Sequence, residues 1–179
     1  MTDAGVVVLG IPIPSSSPLF LSIIAVHVVA GIVCTLAGIV AMLAPKRDGR
    51  HPSAGTLYFR SLVVVSASMA ALSVLRWPAN THLLVLGVVS FGAGLLGRTA
   101  RRRRWPGWLS AHVAGMGVSY IVLLTAFYVD NGPHLPIWRS LPAWVHWLFP
   151  SIVGLPILIW ALTRHRLMLH ARAGSKRAT

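Results

Sequence analysis

Five apolar runs constrain the fold of this chain more than any other feature. They span residues 19–43, 56–75, 81–96, 108–129 and 144–162. A helix needs roughly 20 apolar residues to cross a hydrocarbon core about 30 Å thick, and a helix satisfies its own backbone polar groups there. The sequence therefore predicts an all-α fold, an integral membrane bundle of five transmembrane helices formed by one domain over residues 1–179.

The distribution of basic residues predicts how the bundle is oriented. Basic residues cluster after the first, third and fifth runs, whereas the other side holds only Arg76 and Arg139. Because cytoplasmic connections carry the excess of Lys and Arg, we expect the N-terminus outside and the C-terminus, with the basic tail 164–179, in the cytoplasm. We expect the protein to be a multi-pass protein of a bacterial cytoplasmic (inner) membrane. The net charge of +13 is then explained by topology and by contact with anionic lipid headgroups, without nucleic acid.

Small and polar residues at helical spacing predict which faces of the helices look inward. The third run, for example, carries Gly87, Ser90, Gly94 and Gly97 on one stripe. Helices in lipid meet through such residues, since lipid is as apolar as leucine and gives no hydrophobic drive to association. The polar residues expected to face the bundle are Tyr58, Met116, Ser119, Thr125, Asp130 and Asn131.

Histidines near both ends of the spans are the candidate ligands. At 1.5 Å per residue, His51 and His112 fall in one layer near the inner boundary, and His27, His82 and His146 fall in another near the outer boundary. A pair from one layer could hold a haem iron from both sides, and the inner pair is the sharper hypothesis. The alternative for His27, His112 and His146 is a neutral imidazole hydrogen-bonded to a neighbouring serine, threonine or backbone carbonyl, and for His51 and His82 a solvated or interfacial histidine. No catalytic set is predicted, because no carboxylate lies within the spans to serve as an acid or base.

Two segments have distinctive patterns: HPSAGTLY, with His51, Gly55 and Tyr58 as H-x-x-x-G-x-x-Y, and HVAGMGVSYIVLLTAFYVDNGPHLP. Both resemble segments of a bacterial family of multi-spanning membrane proteins classified as a domain of unknown function. This resemblance implies the five-span architecture and no established activity. A more distant resemblance is to the cytochrome b bundles, which carry electrons between histidine-ligated haems. Those bundles often place two histidines about thirteen residues apart on one helix, and no span here does so, so the resemblance extends to one haem b at most.

Three functions remain open from the sequence. The first is transmembrane electron transfer by a histidine-ligated haem b, with a quinone or a membrane redox protein as the partner. The second is a structural or accessory subunit, or a sensor, without a cofactor. The third is a small-solute transporter or channel acting as a homo-oligomer, because the chain has no inverted repeat, although Pro150, Gly154 and Pro156 interrupt the fifth run.

Overall fold

Five long helices make up the bundle in the computed structural model of the chain. The structure describes residues 6–8, 11–13, 17–46 and 49–175, with side chains for 17–46 and 49–164. The helices are α1 Pro18–Leu43, α2 Arg50–Leu75, α3 Thr81–Arg103, α4 Trp108–Asn131 and α5 Ala143–Ser175. Each has a segment long and apolar enough to cross a membrane, so the prediction of five helices able to span a membrane is confirmed.

The helices extend beyond the apolar runs at their polar ends. Helix α2 begins at Arg50, so that His51 lies inside the first turn and not before the helix, and α3 continues to Arg103. Arginine is a good helix former whose long side chain reaches the headgroup level, so the α3 helix continues past the hydrocarbon-compatible segment. Helix α5 runs through Pro150 and Pro156 without a break. The transporter hypothesis expected these residues to interrupt the fifth span.

Three short elements accompany the helices. A small antiparallel hairpin pairs Val6–Val8 with Ile11–Ile13 before α1, an addition to the all-α fold expected from the sequence. Between α4 and α5 the chain forms two single turns of 3₁₀ helix, Gly132–His134 and Trp138–Ser140. The connection between the last two helices is therefore folded over the end of the bundle.

Packing is closest between α3 and α4 and between α1 and α2, followed by α4 with α5, and then α2 with α3. The turn between α3 and α4 ends at Gly107, whose φ of 79° lies in the left-handed region that glycine adopts without strain. Gly115 faces Gly97 across the two helices, and a Cβ on Gly115 would lie 2.7 Å from the Gly97 nitrogen. Only glycine allows this backbone approach.

The main core lies where α1, α2 and α4 meet. Cys34, Tyr58 and Leu62 are almost completely buried there, and Met116 and Tyr120 of α4 pack against them. A second cluster at the other end of α2 contains Phe20, Met69, Leu72 and Leu83. Many large apolar side chains instead lie on the outside of the helices, as expected for a surface in contact with hydrocarbon.

Candidate functional site

His51 and His112 come together at the end of the bundle formed by the α1–α2 and α3–α4 connections. His51 lies in the first turn of α2 and His112 in the second turn of α4. Their ring centroids are 6.4 Å apart and the ring planes are nearly perpendicular, at 89°. The structure thus brings together the two inner-layer histidines, and we call them the inner histidine pair.

Each ring of the inner histidine pair is fixed through its Nδ1 atom. His51 Nδ1 lies 2.8 Å from the carbonyl oxygen of Ala41 on α1, and His112 Nδ1 lies 2.9 Å from the carbonyl oxygen of Gly97 on α3. A carbonyl oxygen can only accept, so both Nδ1 atoms carry the proton and donate it. In a neutral imidazole, this leaves Nε2 with a free lone pair, and neither Nε2 bonds to any residue that the structure describes.

The surroundings of the inner histidine pair are positively charged and partly open. Lys46 and Arg101 lie close enough to both rings to interact with them electrostatically. The Lys46 ammonium donates to the carbonyl oxygens of Ala41 and Met42 at the end of α1, and burial lowers its pKa. Gly55 lies one turn beyond His51, and no atom of another element lies within 4 Å of where its Cβ would be.

A separate polar cluster ties α2, α3 and α4 together in the middle of the bundle. The Tyr58 hydroxyl lies 2.8 Å from Ser119 Oγ, and Ser90 Oγ donates to the Ser119 carbonyl oxygen at 2.8 Å. All three side chains are almost completely buried. Because each hydroxyl has a partner inside the protein, this cluster serves helix packing without needing a ligand.

The outer-layer histidines do not contact one another, and each has its own hydrogen-bond or ring partner, although His27 and His82 both lie near Asp130. His27 Nδ1 lies 2.9 Å from Ser68 Oγ, whose own proton goes to the carbonyl oxygens of Val64 and Val65, so the imidazole donates to the serine. His82 is exposed and lies beside Trp147, with ring centroids 6.2 Å apart. No contact joins His27 to His82 or His146 within the part of the chain that the structure describes.

His146 belongs to the packing of the loop between α4 and α5. Its Nε2 donates to the Trp138 carbonyl oxygen at 3.1 Å, and its side chain is only 4% exposed. The Trp138 ring also packs against Tyr128 and Phe149, with centroids 4.5 and 4.6 Å apart. His146 therefore anchors this loop, which is a sufficient reason for a buried imidazole at that position.

The remaining polar residues expected in the bundle have varied environments. Thr125 is buried and donates to the Ile121 carbonyl oxygen one turn earlier, while Met116 packs on the main core. Asp130 is exposed at the end of α4, near His27, His82, His134 and Arg76. Asn131 donates to the Phe127 carbonyl oxygen. None of these side chains contacts the inner histidine pair in the described structure.

The donor set of the inner histidine pair limits which metal centre it suits. No group of three or more His, Cys, Asp or Glu side chains able to hold a metal ion occurs among the described residues. Two imidazoles alone suit a metal whose other positions are filled by a non-protein ligand, as the porphyrin nitrogens do in haem. The neighbouring positive charges disfavour a bare cation and suit the two carboxylates that haem carries.

Fold and site together define a five-helix membrane bundle with two anchored histidines at one end. No known family, curated protein or solved structure matches the chain.

The sequence did not indicate the residues that anchor the site. The carbonyl oxygens of Ala41 and Gly97 carry no side-chain signature, and no spacing along one helix singles out Ser68 as the partner of His27. One pattern in the sequence is compatible with the hydrogen bond from His112 to the Gly97 carbonyl oxygen, namely the glycine stripe of α3 that contains Gly97. Glycines let two helices approach closely, which brings a backbone carbonyl within reach of a side chain on the other helix.

Proposed function

We propose that this protein is a membrane redox protein that binds one haem b, which His51 and His112 would hold through their imidazole nitrogens. The observation that carries the proposal is the geometry of the inner histidine pair. The His51 and His112 ring centroids are 6.4 Å apart, so the two imidazoles are close enough that both could contribute a nitrogen to one metal centre.

The hydrogen bonds of the pair support the same assignment. A histidine that binds a metal through one ring nitrogen donates a hydrogen bond from the N–H of the other nitrogen to a carbonyl or carboxylate. This bond fixes the ring and raises the basicity of the ligating nitrogen. Both rings here donate Nδ1–H to a carbonyl and keep Nε2 free. The open space beside Gly55 favours a flat ligand, and Lys46 and Arg101 would pair with its carboxylates.

Bound haem would supply one-electron redox chemistry, and the chain's own residues would position it. His51 on α2 and His112 on α4 would hold the iron from two helices, and the α1 and α3 carbonyls would fix the two rings. With the N-terminus outside, as the basic residues indicate, this site lies near the cytoplasmic face of the bacterial inner membrane. A membrane quinone or a membrane redox protein is the electron partner that fits this position.

Haem titration of the purified protein in nanodiscs tests the proposal. We expect a Soret band that saturates at one haem per chain, with an affinity about tenfold or more lower in His51→Gln and in His112→Gln. His82→Gln is the matched control, because His82 is an exposed histidine of the outer layer. Equal affinity in all four proteins, or loss in His82→Gln alone, would refute the inner pair as the ligand set.

A structural or accessory role is the second candidate, and one observation favours it. His27, Tyr58, Ser119 and His146 all have hydrogen-bond partners within the bundle, so they need no ligand. If this is the function, His51→Gln and His112→Gln will lower the free energy of unfolding and change no spectrum. The resemblance to the multi-spanning family of unknown function is compatible with either candidate.

A further inference from the structure

We propose that an anionic phospholipid binds along α2 and α3, with its phosphate at Arg60, Arg98 and Arg102 and an acyl chain along the apolar surface next to Phe59 and Phe91. This lipid site lies at the same end of the bundle as the inner histidine pair but on different residues.

Arg98 is held in place by an aromatic ring. Its Cζ atom lies 4.6 Å from the centroid of Phe59, and Phe59 lies against Phe91 with ring centroids 6.1 Å apart. A guanidinium stacked on a ring uses its face for that contact, which leaves its N–H groups free at the edge. Those donors match the paired oxygens of a phosphate.

Positive charge accumulates around Arg98 without a counterion from the described protein. Arg60, Arg101 and Arg102 are all close enough to repel the Arg98 guanidinium. Over residues 17–46 and 49–164, the one acidic side chain is Asp130, which lies at the far end of α4. An external anion at this cluster would relieve the repulsion.

The surface next to the arginines fits a lipid better than a soluble anion. Val63, one turn from Phe59, is 41% exposed, and Leu95, one turn from Phe91, is 45% exposed. Helices α2 and α3 also share a smaller contact area than α3 and α4 do. Basic side chains next to exposed apolar side chains at the end of a membrane span can bind the headgroup and the chain of one lipid molecule.

Native mass spectrometry of the full-length protein, titrated with phosphatidylglycerol or phosphatidylcholine, tests the site. We expect phosphatidylglycerol to bind about tenfold more tightly than phosphatidylcholine. Each of Arg60→Gln and Arg98→Gln should weaken phosphatidylglycerol binding roughly fivefold, the effect of one basic residue near a charged headgroup. Arg76→Gln and Arg139→Gln, at the other end of the bundle, serve as matched controls and should leave the binding unchanged.

Three results would overturn the proposal. They are equal affinity for the two lipids, equal weakening in the control variants, and displacement of phosphatidylglycerol by millimolar inorganic phosphate, which would indicate a site for soluble anions. Circular dichroism of each variant confirms that the helices are intact. Arg60→Gln keeps the test decisive if Arg98→Gln unfolds, because Arg60 is exposed and makes no ring contact in the described structure.

Discussion

Replacing Gly115 with alanine should push α3 and α4 apart and weaken the anchor of His112. A Cβ at Gly115 would lie 2.7 Å from the Ala93 carbonyl oxygen and 2.8 Å from the Gly97 Cα atom. These are backbone atoms, so no side chain can move aside. To restore an ordinary contact distance at these atoms, α3 and α4 must move apart by roughly 0.7 Å. A gap of that size costs the other atom pairs along the α3–α4 interface a quarter to a half of their van der Waals attraction.

The expected cost can be compared directly with a second glycine on the same pair of helices. Overpacking of this kind costs about 1–3 kcal/mol of unfolding free energy. Gly92 on α3 is exposed and has nothing within 4 Å of its Cβ position. Gly92→Ala should therefore be neutral or slightly stabilising, since alanine is the better helix former. We expect Gly115→Ala to be about 2 kcal/mol less stable than Gly92→Ala.

Unfolding by sodium dodecyl sulfate in mixed micelles, followed by circular dichroism, measures this difference. A second readout is haem affinity, because the same separation lengthens the 2.9 Å bond from His112 Nδ1 to the Gly97 carbonyl oxygen. Loss of such a second bond lowers metal affinity about tenfold or more. Equal stability of the two alanine variants would show that the close α3–α4 approach does not govern the fold.

Three further substitutions probe the bundle away from the inner histidine pair. Tyr58→Phe and Ser119→Ala should each lower the unfolding free energy by about 1 kcal/mol in the same assay. The double variant should lose less than the sum of the two, because both substitutions remove the same hydrogen bond. Strictly additive losses would contradict this bond. Gly132→Ala should destabilise the loop between α4 and α5 and raise the rate at which a protease cleaves it, because the added Cβ would lie 2.6 Å from the His146 ring. Gly31→Ala is the control, since its Cβ would meet no atom within 4 Å. Equal cleavage rates in the two variants would refute this prediction.

The spans were predictable because their signal is local and strong. An apolar run of about 20 residues specifies a membrane helix almost without regard to its neighbours. The inward stripes followed for the same reason, and Ser90, Gly94 and Gly97 are indeed buried on α3. The bounds were less predictable at polar ends, where arginines and His51 continue a helix that hydropathy alone would end.

The site was predictable in height but not in contacts. Counting residues placed His51 and His112 in one layer, since the rise of a helix is fixed at 1.5 Å per residue. Rotation of the helices and the order in which they pack depend on the whole bundle, so the sequence did not show which side chains of neighbouring helices touch. His146 and His27 turned out to have protein partners, Trp138 and Ser68, that spacing along one helix does not indicate.

The ferric absorption spectrum of the haem-loaded protein tests the central claim most directly. Two imidazole ligands hold haem iron in the low-spin state, so we predict a low-spin spectrum for the wild-type protein. His112→Gly should give a high-spin spectrum that returns to low spin when free imidazole is added. A wild-type protein that binds no haem, or a His112→Gly spectrum identical to the wild type without imidazole, would contradict the assignment of His51 and His112 as a ligand pair.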